Sequence, residues 1–213
     1  MQGMKGMIGH IRPMTKQDAA AVAVLHESRI NPGFLSSLGC RFLKHLYAGI
    51  ASSSSGFGFV WEESDGTVHG FIACAEDITR LYKQVLFRQG IPMIFSLGCV
   101  FFRKSIIKDV WDTLRYPNAL SANLPRAEIL AFAVSPKVSI PGIGHILAKT
   151  ALLEFGKRRI DNVKLAVGAE NVRVNRYWQH VGFECVLTVN QHGWKTNIHV
   201  LKGLTDMKKM DTL

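Results

Sequence analysis

A chain of 213 residues, 47% of them hydrophobic, is long enough to bury a core within one domain. Its longest nearly pure apolar run, residues 91–102, is too short for a bilayer span of roughly 20 residues, and residues 1–9 lack the apolar stretch of a signal peptide, so a soluble cytoplasmic protein is expected. The formal charge of +10 favours an anionic partner (nucleic acid, a membrane surface or a phosphorylated ligand), while Cys40, Cys74, Cys99 and Cys185 are too scattered for a disulfide framework or a metal site.

Residues 7–12 read as a short strand. Thr15 and Asp18 form a capping-box-like pair before the alanine-rich residues 19–29, which predicts a helix that Asn31-Pro32-Gly33 stops. Leu38, Phe42, Leu46 and Ile50 fall four apart on one face of a second helix. Residues 52–56 read as a flexible break. Two β-rich runs then flank Asp65-Gly66, the signal of a two-residue hairpin.

Residues 78–125 form a long insert, predicted as two helices broken at Gly90-Ile91-Pro92 and ended near Tyr116-Pro117. Between Arg80 and Arg115 seven basic residues stand against Asp109 and Asp112, a net +5 and half the charge of the chain. Residues 127–134, AEILAFAV, read as a buried strand, and Ile143, Ile146, Leu147 and Ala151 define a helix to about Arg159. Residues 163–168 are a strand and 171–181 a helix closed by Gly182. Residues 183–189 and 195–201 form a final antiparallel pair before a tail, residues 205–213, expected to be flexible. Residues 1–204 thus read as a single domain. The crossover from 127–134 to 163–168 predicts one parallel pair inside a mixed sheet.

The strand–loop–helix at 127–157 carries the first chemical signal. A helix starting at Gly142 or Ile143 leaves backbone N–H groups unpaired at the positive end of its dipole, where a pyrophosphate would satisfy them. Glycines at 142 and 144 permit close approach. A second segment follows the strand VKLAV: Asn171-Val-Arg-Val-Asn-Arg-Tyr177-Trp178-Gln-His-Val-Gly182-Phe183. With these two motifs in this order the chain resembles the GNAT acetyltransferase superfamily, over essentially its whole length except the insert.

The resemblance implies an α+β fold with a GNAT-type mixed, mostly antiparallel sheet, splayed at the central parallel pair and flanked by helices. It implies an N-acetyltransferase using acetyl-coenzyme A as cosubstrate, without a metal, on a small-molecule or protein amine. By the same resemblance the amide of Phe132 would polarise the acyl carbonyl and stabilise the oxyanion, and that of Val134 would bind the pantetheine arm. The amides of Gly142, Ile143, Gly144 and His145 would hold the pyrophosphate. Ser139 stands where the family has Arg or Gln, and Pro141 brings no N–H, so the cradle is poorer in donors and charge than usual.

Glu128, the one carboxylate in its strand, sits where the histone-acetylating branch has its general base. The bland reading of it is an edge carboxylate facing water or pairing with Arg126. The family's tyrosine acid is replaced by Trp178, so the usual acid is absent, or Tyr177 substitutes for it through a local shift, or the thiolate leaves toward solvent; Trp178 would pack on the CoA arm or in the core. Asn171 would bind the arm or the strand beside it, or cap its helix. The alternative function is a catalytically degenerate acyl-CoA-binding module. No zinc-finger spacing or RNA-binding signature supports specific nucleic-acid recognition. For the insert, with apolar runs between cations, two roles stay open: contact with an anionic membrane surface, or burial on the sheet or a second copy of the chain.

Overall fold

A computed structural model describes residues 9–30, 34–97, 124–138, 140–191 and 193–205. In chain order the elements are β1 (His10–Pro13), α1 (Ala19–Arg29), α2 (Phe34–Ser37), α3 (Gly39–Ser52), β2 (Gly56–Glu62), β3 (Val68–Ala75), α4 (Ile78–Leu97), β4 (Ala127–Val134), α5 (Ile143–Lys157), β5 (Val163–Gly168), α6 (Val172–His180), β6 (Glu184–Gln191) and β7 (Trp194–Leu201). The strands form one sheet in the order β1-β2-β3-β4-β5-β7-β6. β4 and β5 run parallel, and the other neighbouring pairs run antiparallel. This is the expected mixed sheet with helices on both faces.

Local chemistry explains the entry to α1. The Asp18 carboxylate accepts hydrogen bonds from Thr15 N (2.7 Å) and Oγ1 (2.9 Å), and Arg12 clamps it with two more at 2.7 Å. On one face of the sheet, α1, α3 and α4 cover a core containing Leu43, Leu46, Phe71 and Leu81. On the other, α5 and α6 cover Ile72, Leu147, Leu152, Phe155 and Leu165. Full burial of each such side chain contributes roughly 1.5–3 kcal/mol. No described helix is long and apolar enough to cross a membrane.

Three local expectations are corrected. The helix predicted to break at Gly90-Ile91-Pro92 runs on as α4, with Pro92 inside it. A proline costs a helix interior about 3 kcal/mol, and burial of Met93 and Leu97 beyond it offsets that loss. Residues 52–56 are packed, not a flexible break: Ser53 and Ser55 are buried, and Gln84 of α4 accepts hydrogen bonds from Ser53 Oγ (2.5 Å) and Ser54 N (3.1 Å). The hairpin loop has three residues, not two, because Glu63 N donates to Thr67 O at 3.0 Å. The predicted end of the insert helices near Tyr116-Pro117 and the tail beyond Thr205 lie outside the described residues, as do residues 7 and 8 of the first strand.

α1 and α3 are joined by a buried polar contact, Tyr47 Oη to His26 Nδ1 at 2.5 Å. Desolvation lowers the His26 pKa to about 4 and raises that of Tyr47, so a neutral phenol and a neutral imidazole share the hydrogen bond. The unfolded chain binds a proton here near pH 6.5 and the folded one only near 4, so stability falls as pH drops through that window. The loss should reach up to about 3 kcal/mol at pH 4. Urea denaturation between pH 7 and 4 should show His26→Gln, whose amide can still hydrogen-bond Tyr47, losing measurably less stability than the wild type. Equal losses would place the titration elsewhere.

Candidate active site

The central parallel pair is short. β4 and β5 pair at Ala127–Val163, Glu128–Lys164 and Ile129–Leu165 and then part. β4 stays paired to β3 through Val134, with Leu130 left over as a bulge between Ala131 and Ile129. Ser135 N donates to His69 O (2.7 Å). N–H groups alternate sides along a strand, so those of Ala131 and Ala133 face β3 and those of Phe132 and Val134 face the gap left by β5. This is the predicted splay, and it aims at the gap the two amides singled out in the sequence.

The N-terminus of α5 lies against β4 at the open end of the gap. Gly142 caps it in the left-handed region (φ +88°), a conformation that disfavours a side chain. The first helical bond is Ile146 N to Gly142 O (3.0 Å), so the amides of Ile143 and Gly144 precede the helix's own ladder. A Cβ at Gly144 would stand 3.1 Å from Phe132 Cζ, which brings the turn against the β4 wall, whereas space around Gly142 is open. The Ile143 side chain is buried and anchors the turn. His145 is exposed in the first helical turn. Ser139 lies outside the described residues. Open space at Gly142 and inward-facing strand amides fit an extended ligand ending in a pyrophosphate, with Pro141 contributing no donor.

Glu128 lies at the closed end of the fork. Ala127 and Ile129 belong to the core under α5, so Glu128 points to the opposite face, the side of α1, α3 and α4. It neither faces water nor pairs with Arg126, which contacts Asp77 instead. Its partner is Lys164 of β5, whose Nζ is 3.4 Å from Oε2 and donates to Pro125 O at 2.7 Å. Burial raises the Glu128 pKa and the Lys164 charge pulls it back down, with the net shift upward.

The aromatic candidates separate. Trp178, read as packing on a ligand arm or in the core, goes to the core: it is 3% exposed, edge-on to Phe132 (5.9 Å), Tyr177 (5.1 Å) and Phe183 (5.2 Å). The Tyr177 hydroxyl is buried with no hydrogen-bond partner among the described residues, and burial pushes its pKa up to about 12. Asn171 caps α6, its Oδ1 accepting from Val174 N (3.3 Å). The tie to the neighbouring strand is made instead by Asn175, which sequence reasoning did not single out. Its Nδ2 donates to Gly168 O (2.9 Å) and Asn171 O (2.8 Å), and its Oδ1 accepts from Asn197 Nδ2 (3.0 Å) and His199 Nε2 (2.7 Å).

No known family model matches the sequence, and no curated protein matches it. Solved structures do. A protein of the GNAT family from Desulfovibrio desulfuricans superposes with TM-score 0.59 at 12% identity over 92% of this chain and 99% of its own. Arabidopsis thaliana NAA60, solved in complex with acetyl-CoA, gives 0.59 at 14% identity over 92% and 98%. A spermidine/spermine N-acetyltransferase from Vibrio cholerae gives 0.56 at 13% over 96% and 97%. The chain has the GNAT fold. At such identities the likeness speaks for the fold alone.

The far wall of the GNAT fork depends on Asn175. Asn175→Ala would leave the buried His199 Nε2 without its acceptor, while the Gly168 and Asn171 carbonyls keep their backbone donors, Asn171 N and Asn175 N. The loss should be about 1–3 kcal/mol in chemical denaturation. A loss under ~0.5 kcal/mol would show that the network is incidental.

Proposed function

We propose that the chain transfers an acyl group, in the simplest case acetyl, from acyl-coenzyme A to a primary amine by direct attack within a ternary complex. The observation that carries this reading is the parted β4–β5 pair, with the Phe132 and Val134 amides facing the gap, the Gly142 turn at one end and a buried carboxylate at the other. An extended pantetheine arm takes the place of the missing strand partner. The amides at the start of α5 meet the pyrophosphate at the positive end of the helix dipole. The acceptor is a small-molecule or protein amine.

The chemistry needs a neutral amine, because an ammonium has no lone pair. Glu128 takes that proton, directly or through water, and its raised pKa suits it to the task. The amine nitrogen then bonds to the thioester carbon, the carbon–sulfur bond breaks, and the nitrogen gives up its second proton, which in net terms replaces the one that the thiolate takes from Tyr177. The Phe132 N–H stabilises the negative charge that develops on the carbonyl oxygen. Tyr177 stays protonated at neutral pH and holds a proton for the departing thiolate. Lys164 is a positioning residue: it keeps the buried Glu128 ionisable.

Calorimetric titration with acetyl-CoA should show binding by the wild type. Gly142→Asp should weaken it about tenfold or more by charge repulsion at the helix terminus. Gly142→Asn, which tolerates the left-handed backbone and adds no charge, should weaken it less. Equal affinities for all three would make the turn merely structural.

Glu128→Gln should leave acetyl-CoA affinity intact and lower turnover by roughly 10²–10⁴-fold. Lys164→Met should move the acidic limb of the pH–rate profile to higher pH, since the carboxyl loses the cation that lowers its pKa, and Lys164→Arg should restore the limb. An unmoved limb in Lys164→Met would remove Glu128 from the base role. Binding of acetyl-CoA without CoA release across a panel of amines would describe an acyl-CoA-binding module instead.

A further inference from the structure

α4 has two faces of unlike character. Ile78, Leu81, Val85, Met93 and Leu97 are buried in the core shared with α1 and α3. On the opposite side Arg80, Lys83, Phe87, Ile91 and Ile94 recur three or four apart and form one stripe, which Phe95 widens at its end. The N-terminal end of the stripe is cationic and its C-terminal end apolar. Phe87 is 92% exposed, Phe95 80%, Ile91 72% and Ile94 56%. Phe87, Ile91 and Ile94 stand off the surface, while Phe95 forms one wall of the groove beside them.

Beside the apolar end, α3 and α4 frame an open groove of about 440 Å³, lined by Arg41, Lys44, His45, Pro92, Phe95 and Ser96. Arg41 and Lys44 are exposed at its rim. Protruding apolar groups beside cations match a surface that is anionic outside and apolar beneath. A second copy of the chain fits less well, because a symmetric contact would set these cations against themselves on a chain already at +10. A flat acidic protein surface would leave the prongs without hollows to fill.

We propose that this stripe docks on an anionic phospholipid surface, with Phe87, Ile91, Ile94 and Phe95 among the acyl chains and Arg41, Lys44, Arg80 and Lys83 against the phosphates. The headgroup nearest Phe95 lies in the groove. This contact is independent of the proposed acyl transfer and has its own readout.

The test is flotation of the full chain with phosphatidylcholine vesicles, with and without phosphatidylglycerol. The chain should float with the anionic vesicles, stay behind with the neutral ones and dissociate at high salt. Phe87→Ser/Phe95→Ser and Arg41→Glu/Lys44→Glu should each weaken binding about tenfold or more, with circular dichroism spectra matching the wild type. Equal flotation with both vesicle types, or binding that both double variants retain, would overturn the proposal. So would absence of flotation together with a dimer by light scattering that Phe87→Ser/Phe95→Ser dissociates, or with retention of an acidic protein through the stripe.

Discussion

Everything at the candidate site depends on two parallel strands that stop pairing in the middle of a sheet. Inner strands normally satisfy both edges, and a buried amide left without a partner costs about 1–3 kcal/mol. β4 and β5 accept that cost after Ile129–Leu165. The Leu130 bulge re-aims β4 at the place where the partner is lost, while β3 continues to hold its other edge. A sheet opened in this way keeps its amides for something that is itself extended. The proposed pantetheine arm has that shape, so the exposed edge becomes a binding surface and not a defect.

A fork needs two rigid prongs. β3, α5 and the aromatic packing of Phe132 on Trp178 hold the β4 prong. The β5 prong is paired to β7 along its whole length and locked to α6 by Asn175. That residue uses every polar atom it has, which fixes the chemistry around it: its oxygen can only accept, so His199 Nε2 carries a proton. Burial lowers the His199 pKa and keeps the ring neutral, and Nδ1 is buried with no partner among the described residues. The Schellman bonds that end α6, Phe183 N to Trp178 O (2.9 Å) and Gly182 N to Gln179 O (3.0 Å), deliver Phe183 back into the same aromatic cluster.

Much of this was legible in the sequence wherever the signal was local. The apolar strand 127–134, the glycine turn, the capping box at Thr15 and the closing Gly182 each occupy a few consecutive residues. The structure puts helix and strand ends at those marks. What escaped depended on partners distant in the chain. Lys164 reads as an ordinary residue of VKLAV until the parallel register sets it beside Glu128, 36 positions earlier. Asn175 looks like a mid-helix polar residue until Asn197 and His199 arrive on β7. The same cause misled at Gly90-Ile91-Pro92 and at Ser52–Gly56, where tertiary burial and Gln84 overrode strong local breaking signals. Trp178 shows the limit of motif reading: the helix position was right, but the large indole found its place in the core.

The Glu128–Lys164 pair explains how one carboxylate can be both buried and useful. A lone carboxylate at that depth would neutralise itself and accept no proton. A fully hydrogen-bonded one would be too weak a base. Here the ammonium is 3.4 Å away and shares its attention with Pro125 O, while Oε2 keeps no hydrogen bond among the described residues. Desolvation and attraction pull in opposite directions, and the balance leaves the pKa above the ordinary value. The pair also points away from α5, toward the face covered by α1, α3 and α4. On the proposed reading the pyrophosphate therefore enters at the α5 end of the fork and the amine from the face that carries α4. Two reactants coming from different sides meet at the fork's closed end, which is what direct transfer in a ternary complex requires.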